Sequence, residues 1–138
     1  MAWKTYDLDQ KAQKLVLNAK KEDPDSLNQA YKMRLSVAYG LERFWGEYLR
    51  LQRKESDQAK SKYWKKTWDA LVEIMQKAGV IIPNDNVKVE NTAQIEAMSK
   101  KLWEIPLENQ RVTLAVLTQL CDSLVWWTQR YKGNSNDD

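Results

Sequence analysis

Apolar residues recur along this chain at intervals of three and four, the spacing of helices that bury one face. Leu8, Ala12, Leu15 and Ala19 predict a first helix from near Asp7 to Lys21, with Asp7-x-x-Gln10 as its capping box. Ser26-x-x-Gln29 reads as the start of a much longer second helix. In it Leu27, Ala30, Met33, Val37, Ala38, Leu41, Phe44, Trp45, Tyr48 and Leu51 fill one arc at about 100° per residue. Gly40 and Gly46 lie outside that arc and mark positions for a bend or a close neighbour. A third helix is expected from about Asp57 to Ala78, apolar along Tyr63, Trp64, Trp68, Leu71, Ile74, Met75 and Ala78 and stopped by Gly79.

Val80-Ile81-Ile82 and Val87-Lys88-Val89 flank a Pro-Asn-Asp-Asn turn and make at most a small hairpin. A fourth helix from about Thr92 to Glu104 uses Ile95, Met98 and Leu102, with Asn91-x-x-Gln94 as its cap. Pro106 opens a fifth that ends near Lys132, before Gly133. Four Gly and three Pro in 138 residues leave few breaks, which favours long helices over a multi-strand sandwich. The expectation is an all-α compact bundle of about five helices: one domain over residues 1–132, then a polar flexible tail over 133–138.

Composition narrows the chemistry. With seven Trp, six Tyr and 43% hydrophobic residues the chain can furnish a core without a disulfide, and its one cysteine, Cys121, cannot form one internally. The start of the sequence lacks the apolar core of a signal peptide, and no apolar run approaches the roughly 20 residues of a membrane span. These features predict a soluble, cytoplasmic protein without a membrane partner. There is no histidine, which removes the commonest general base and metal ligand. Phosphate-loop, dinucleotide and nucleophile-elbow motifs are also missing. The acids that remain have ordinary roles: Asp7 with Asp9 and Asp23 with Asp25 sit at caps and turns, while Asp69 and Glu73 each have a lysine four residues away. No catalytic residue, metal or cofactor is expected, and the chain reads as a binding protein, not an enzyme.

Charge is the more informative signal. The formal net charge is only +3, yet Arg50, Arg53, Lys54, Lys60, Lys62, Lys65 and Lys66 fall in one stretch against Glu55 and Asp57. On the second helix Lys32, Arg43, Arg50 and Lys54 are spaced near whole turns and form one row of about 33 Å opposite the apolar arc, with Glu47 at its edge as the one negative interruption. Lys62, Lys65 and Lys66 gather on the polar side of the third helix. Such rows can simply solubilise a bundle, but a solubilising surface normally interleaves both signs. A row of cations with few acids suits a polyanion.

Among the aromatics, Trp45, Trp64 and Trp68 belong to apolar arcs and are read as core. Trp126 and Trp127 point about 100° apart on their helix. Trp127 joins Leu120, Leu124 and Tyr131 on the buried side, whereas Trp126 falls among Gln119, Asp122 and Gln129. An indole stranded there marks an interface, unless Trp3 and Tyr6 cover it.

A helical bundle of this size, basic along its long helices and closing with Leu120-Cys121-Asp122-Ser123-Leu124-Val125-Trp126-Trp127-Thr128-Gln129-Arg130-Tyr131, resembles the small subunits of CRISPR effector complexes. More narrowly it is similar to the helical C-terminal domain of the large subunit of a type I-D Cascade, or the stand-alone small subunit corresponding to it. The resemblance spans roughly Asp7 to Lys132. It implies a non-catalytic subunit present in several copies, packed with itself and other subunits, that stabilises guide RNA, target DNA and the displaced strand through backbone contacts. The competing expectation is a helical adaptor whose cations meet an acidic protein partner. A carboxylate-based enzyme or ligand-binding bundle ranks below both.

Overall fold

A computed structural model describes residues 7–132, which form six α-helices and no strand. These are α1 (Leu8–Glu22), α2 (Gln29–Ser36), α3 (Leu41–Gln52), α4 (Gln58–Lys77), α5 (Thr92–Trp103) and α6 (Leu107–Lys132). The all-α bundle expected from periodicity is present. The sixth helix arises because the long second helix of the sequence reading is two helices, α2 and α3, separated at Gly40. Gly40 has φ 96° and ψ 174°, a conformation essentially confined to glycine, so helical hydrogen bonding stops there. A short 3-10 turn over Val37–Tyr39 precedes it and leaves Ala38 exposed. Gly46, by contrast, lies inside α3 without a break.

Two expected caps are absent. Asp7 adopts a left-handed conformation (φ 60°) and its side chain makes no cap; α1 begins with the Lys11 amide on the Asp7 carbonyl. Ser26 lies in a 3-10 turn, Pro24–Asn28, and its buried hydroxyl donates to the carbonyls of Asp23 (2.8 Å) and Ala19 (3.3 Å). Gln29, the other half of that box, is buried and accepts a hydrogen bond from Trp64 Nε1 at 2.8 Å. This bond ties α2 to α4, and of the core indoles at Trp45, Trp64 and Trp68 it is Trp64 whose N–H finds an acceptor among the described residues.

The other boundaries follow local chemistry. Asn91 Oδ1 accepts from the Gln94 amide at 3.0 Å, capping α5. After α4, Gly79 (φ 88°) closes a Schellman turn: its amide reaches the Gln76 carbonyl at 3.0 Å and the Val80 amide reaches that of Met75 at 2.8 Å. Pro106 stands just before α6 and its carbonyl accepts the Gln110 amide at 2.9 Å. The small hairpin is not formed. Residues 80–91 instead cross the surface without regular structure, turning at 89–90 and pinned by buried Ile82 and Val87, by Asn84 on Asp69 (3.0 Å) and by Lys101 on Asp85 (2.6 Å).

α1 packs on α4 and α6, α2 on α6, and α3 on α4, while α5 leans on α3. Lys11 pairs with Glu73 and Lys62 with Glu22, so α1 and α4 run antiparallel. Trp45, Trp64, Trp68 and Phe44 fill the centre, with Phe44 4.9 Å from Trp64 and 6.3 Å from Trp68 between ring centroids. Among the described residues no helix is long and apolar enough to cross a membrane. The tail 133–138 lies outside the described residues.

Candidate nucleic-acid interface

Folding redistributes the basic residues. Lys32, Arg43, Arg50 and Lys54 do not share a helical row: Lys32 is on α2, across the Gly40 break from Arg43 and Arg50 on α3, and Lys54 lies past the end of α3 in extended conformation. The expected 33 Å stripe is therefore absent, because one non-helical residue resets the angular phase of everything after it.

What replaces it is an elbow. α3 and α4 pack together as a hairpin joined by a short turn. Arg50, Arg53, Lys54 and Lys60 surround that turn, and Lys62, Lys65 and Lys66 continue along α4. A cleft of about 420 Å³ opens beside the elbow, lined by Glu22, Tyr48, Gln52, Gln58, Ala59, Ser61, Lys62 and Lys65. Lys66 joins Lys62 at the adjoining groove between α1 and α4, next to Asn18 and Leu15. Ser61 holds the hairpin shut by donating to the Tyr48 carbonyl at 2.7 Å.

More acids answer this stretch than Glu55 and Asp57 alone: Glu47 and Asp69 flank it on the same helices, and folding brings Glu22 to it from α1. Arg50 is held bidentately by Glu47, which raises the guanidinium pKa further. Lys60 reaches Asp57 at 3.5 Å, Lys62 reaches Glu22 at 3.4 Å, and Lys65 reaches Asp69 at 2.6 Å while lying 5.7 Å from the centre of the Tyr48 ring. Among the described residues Lys32, Arg43, Arg53, Lys54 and Lys66 have no carboxylate partner; Arg53 only meets the Val89 carbonyl at 3.4 Å. The paired cations remain usable, because exposed ion pairs contribute about 0–1 kcal/mol and a phosphate can displace the carboxylate.

Comparison with known proteins finds no family model, no curated protein and no solved structure that matches this chain.

Trp126 is 57% exposed and borders a cleft with Leu8, Asp9, Gln119, Asp122 and Ser123, in line with the polar surroundings expected for it. Trp3 and Tyr6, its possible covers, lie outside the described residues. Trp127 is half-buried and stacks on Tyr131, ring centroids 5.8 Å apart. Cys121 is buried, and burial pushes its thiol up to about 12, away from thiolate chemistry at neutral pH. Two exposed aromatics were missed, Tyr39 and Trp103. Trp103 follows buried Leu102 on α5, so the same 100° offset that separates Trp126 from Trp127 would have found it.

Proposed function

We propose that this protein is a non-catalytic subunit that binds the phosphate backbone of nucleic acid through its α3–α4 elbow. The single observation that carries this reading is the gathering of seven basic side chains around one turn and the adjoining face of α4. Arg53 and Lys54 stand exposed at the turn, and Lys62 and Lys66, one helical turn apart, border the α1–α4 groove. Cations on a helix surface meet phosphates and not base edges, so recognition would be indifferent to sequence.

The resemblance of the chain, over roughly Asp7 to Lys132, to CRISPR small subunits supplies the finer reading: a Cascade-like ribonucleoprotein in which the elbow steadies guide RNA, target DNA or the displaced strand. Exposed Trp126 then offers an anchor for a neighbouring copy or another subunit.

Salt-dependent binding tests the backbone contact. For a single strand each phosphate contact contributes about 0.7 to the log-log slope, so replacing Arg53, Lys54 and Lys66 with Ala should flatten it by about 2 units. The loss should be alike for unrelated sequences, and changes at Lys77 and Lys88 should matter much less. An unchanged slope, with the fold intact by circular dichroism, would leave the adaptor for an acidic protein as the better account. Identification of co-eluting subunits and nucleic acid from native cells tests the Cascade-like assembly.

A further inference from the structure

The Gly40 break, which destroys the long basic row, also builds a cleft. About 380 Å³ lies between the start of α3 and the α5–α6 junction, with Tyr39, Gly40, Glu42, Arg43, Trp103 and Gln110 among its walls. Tyr39 and Trp103 are each 67% exposed, in a protein that buries its other large aromatics on α3 and α4. Arg43 places its guanidinium 5.2 Å from the centre of the Tyr39 ring and has no carboxylate partner among the described residues. Neighbouring Glu42 is engaged instead by the Ser99 hydroxyl at 2.8 Å. Gln110 donates to the Ile105 carbonyl at 2.7 Å and approaches that of Trp103 at 3.5 Å, which fixes the end of α5 that carries the indole. A Cβ on Gly40 would meet nothing within 4 Å, so the floor of the cleft is open backbone.

We infer that this cleft receives an unpaired nucleobase of a single strand, stacked on Tyr39 or Trp103, with Arg43 toward the adjoining phosphate. The inference rests on the nucleic-acid reading above and adds a second, base-dependent contact to it. Flat, solvent-facing aromatic rings bind any base through its π-face. Arg43 already lies over Tyr39 where an ammonium group would sit, and the Glu42 carboxylate of the same cleft is engaged by Ser99, which argues against an aromatic cage for a cation. A proline-rich peptide also fits aromatic grooves but has no use for the free guanidinium.

The test uses the full chain, a short oligothymidine, and an abasic strand of equal length carrying the same phosphates. Wild-type protein should bind the oligothymidine more tightly. Tyr39→Ala or Trp103→Ala should lower that affinity about 5- to 100-fold while changing affinity for the abasic strand less than about twofold. Trp103→Phe should restore most of the loss. Circular dichroism and melting confirm that each variant is folded, and a variant that is not is replaced by Tyr39→Ser or Trp103→Gln at the same surface positions. Equal binding of both strands by wild-type protein, with both variants indistinguishable from it, overturns the stacking site and leaves the backbone contact standing. Failure of both strands to bind overturns both readings. Loss of a proline-rich peptide's binding in Tyr39→Ala, with oligothymidine binding unchanged, also overturns it.

Discussion

The stretch from Gln29 to Gln52 and the helix α6 are of similar length and both contribute to the core, yet one is two helices and the other an unbroken 26 residues. The difference is a single backbone conformation. α6 contains no glycine, and it buries Val116, Leu117, Leu120, Cys121 and Leu124 along one face. The earlier stretch holds two glycines, of which only Gly40 leaves helical space. Periodicity reports which residues want to be buried; it does not report whether the backbone between them stays continuous. The break costs the protein its cationic stripe and lies in the wall of the cleft that Tyr39 and Trp103 share.

The largest effect should come from the continuous helix. Leu117 is fully buried, and Leu117→Ala should cost roughly 2–5 kcal/mol in chemical denaturation, with the exact figure set by how far the site collapses. A loss under about 1 kcal/mol would mean that α6 is not a spine of the core.

The two neighbouring tryptophans on α6 sharpen the same point. Trp127→Ala should cost about 2 kcal/mol, less than a fully enclosed indole, because its ring is half-buried against Tyr131. Trp126→Ala should change stability by no more than about 0.5 kcal/mol and weaken association with whatever docks there. Equal melting and equal assembly of the two variants would contradict the faces assigned to them.

The smallest shifts belong to the glycines, and they should have opposite signs. Gly40→Ala forces a Cβ into a glycine-only conformation and should destabilise by about 1–2 kcal/mol. Gly46→Ala meets only Glu42 Oε2, at an ordinary 3.8 Å, and should stabilise α3 by up to about 1 kcal/mol. If Gly40→Ala instead gained helix content and stability, residues 29–52 could form one helix and the long row of cations would be recoverable.

Much of the fold is legible in the sequence. Helical periodicity set the class, and short-range chemistry set the ends: Asn91 caps α5, Gly79 stops α4, and Pro106 precedes α6. The buried state of Trp45, Trp64 and Trp68 and the exposure of Trp126 also followed from angular position on a helix. The caps at Asp7 and Ser26 did not, because a capping pattern competes with tertiary demands such as the hydrogen bond from Trp64 to Gln29. Charge was the least legible feature. Glu22 is 40 residues from Lys62 and yet sits 3.4 Å from it, and no local window contains that pairing.

The sequence by itself therefore determined the helical class, the approximate extent of the helices except across Gly40, the apolar face of most of them, and that the basic side chains concentrate between Arg50 and Lys66. Only the tertiary structure decided how that charge is arrayed, which cations are answered by acids, and that Tyr39 and Trp103 share a cleft. The reason is range. Helix formation and capping act over three or four residues, whereas ion pairs and clefts depend on which distant segments the core brings together, and on the one glycine that sets their relative direction.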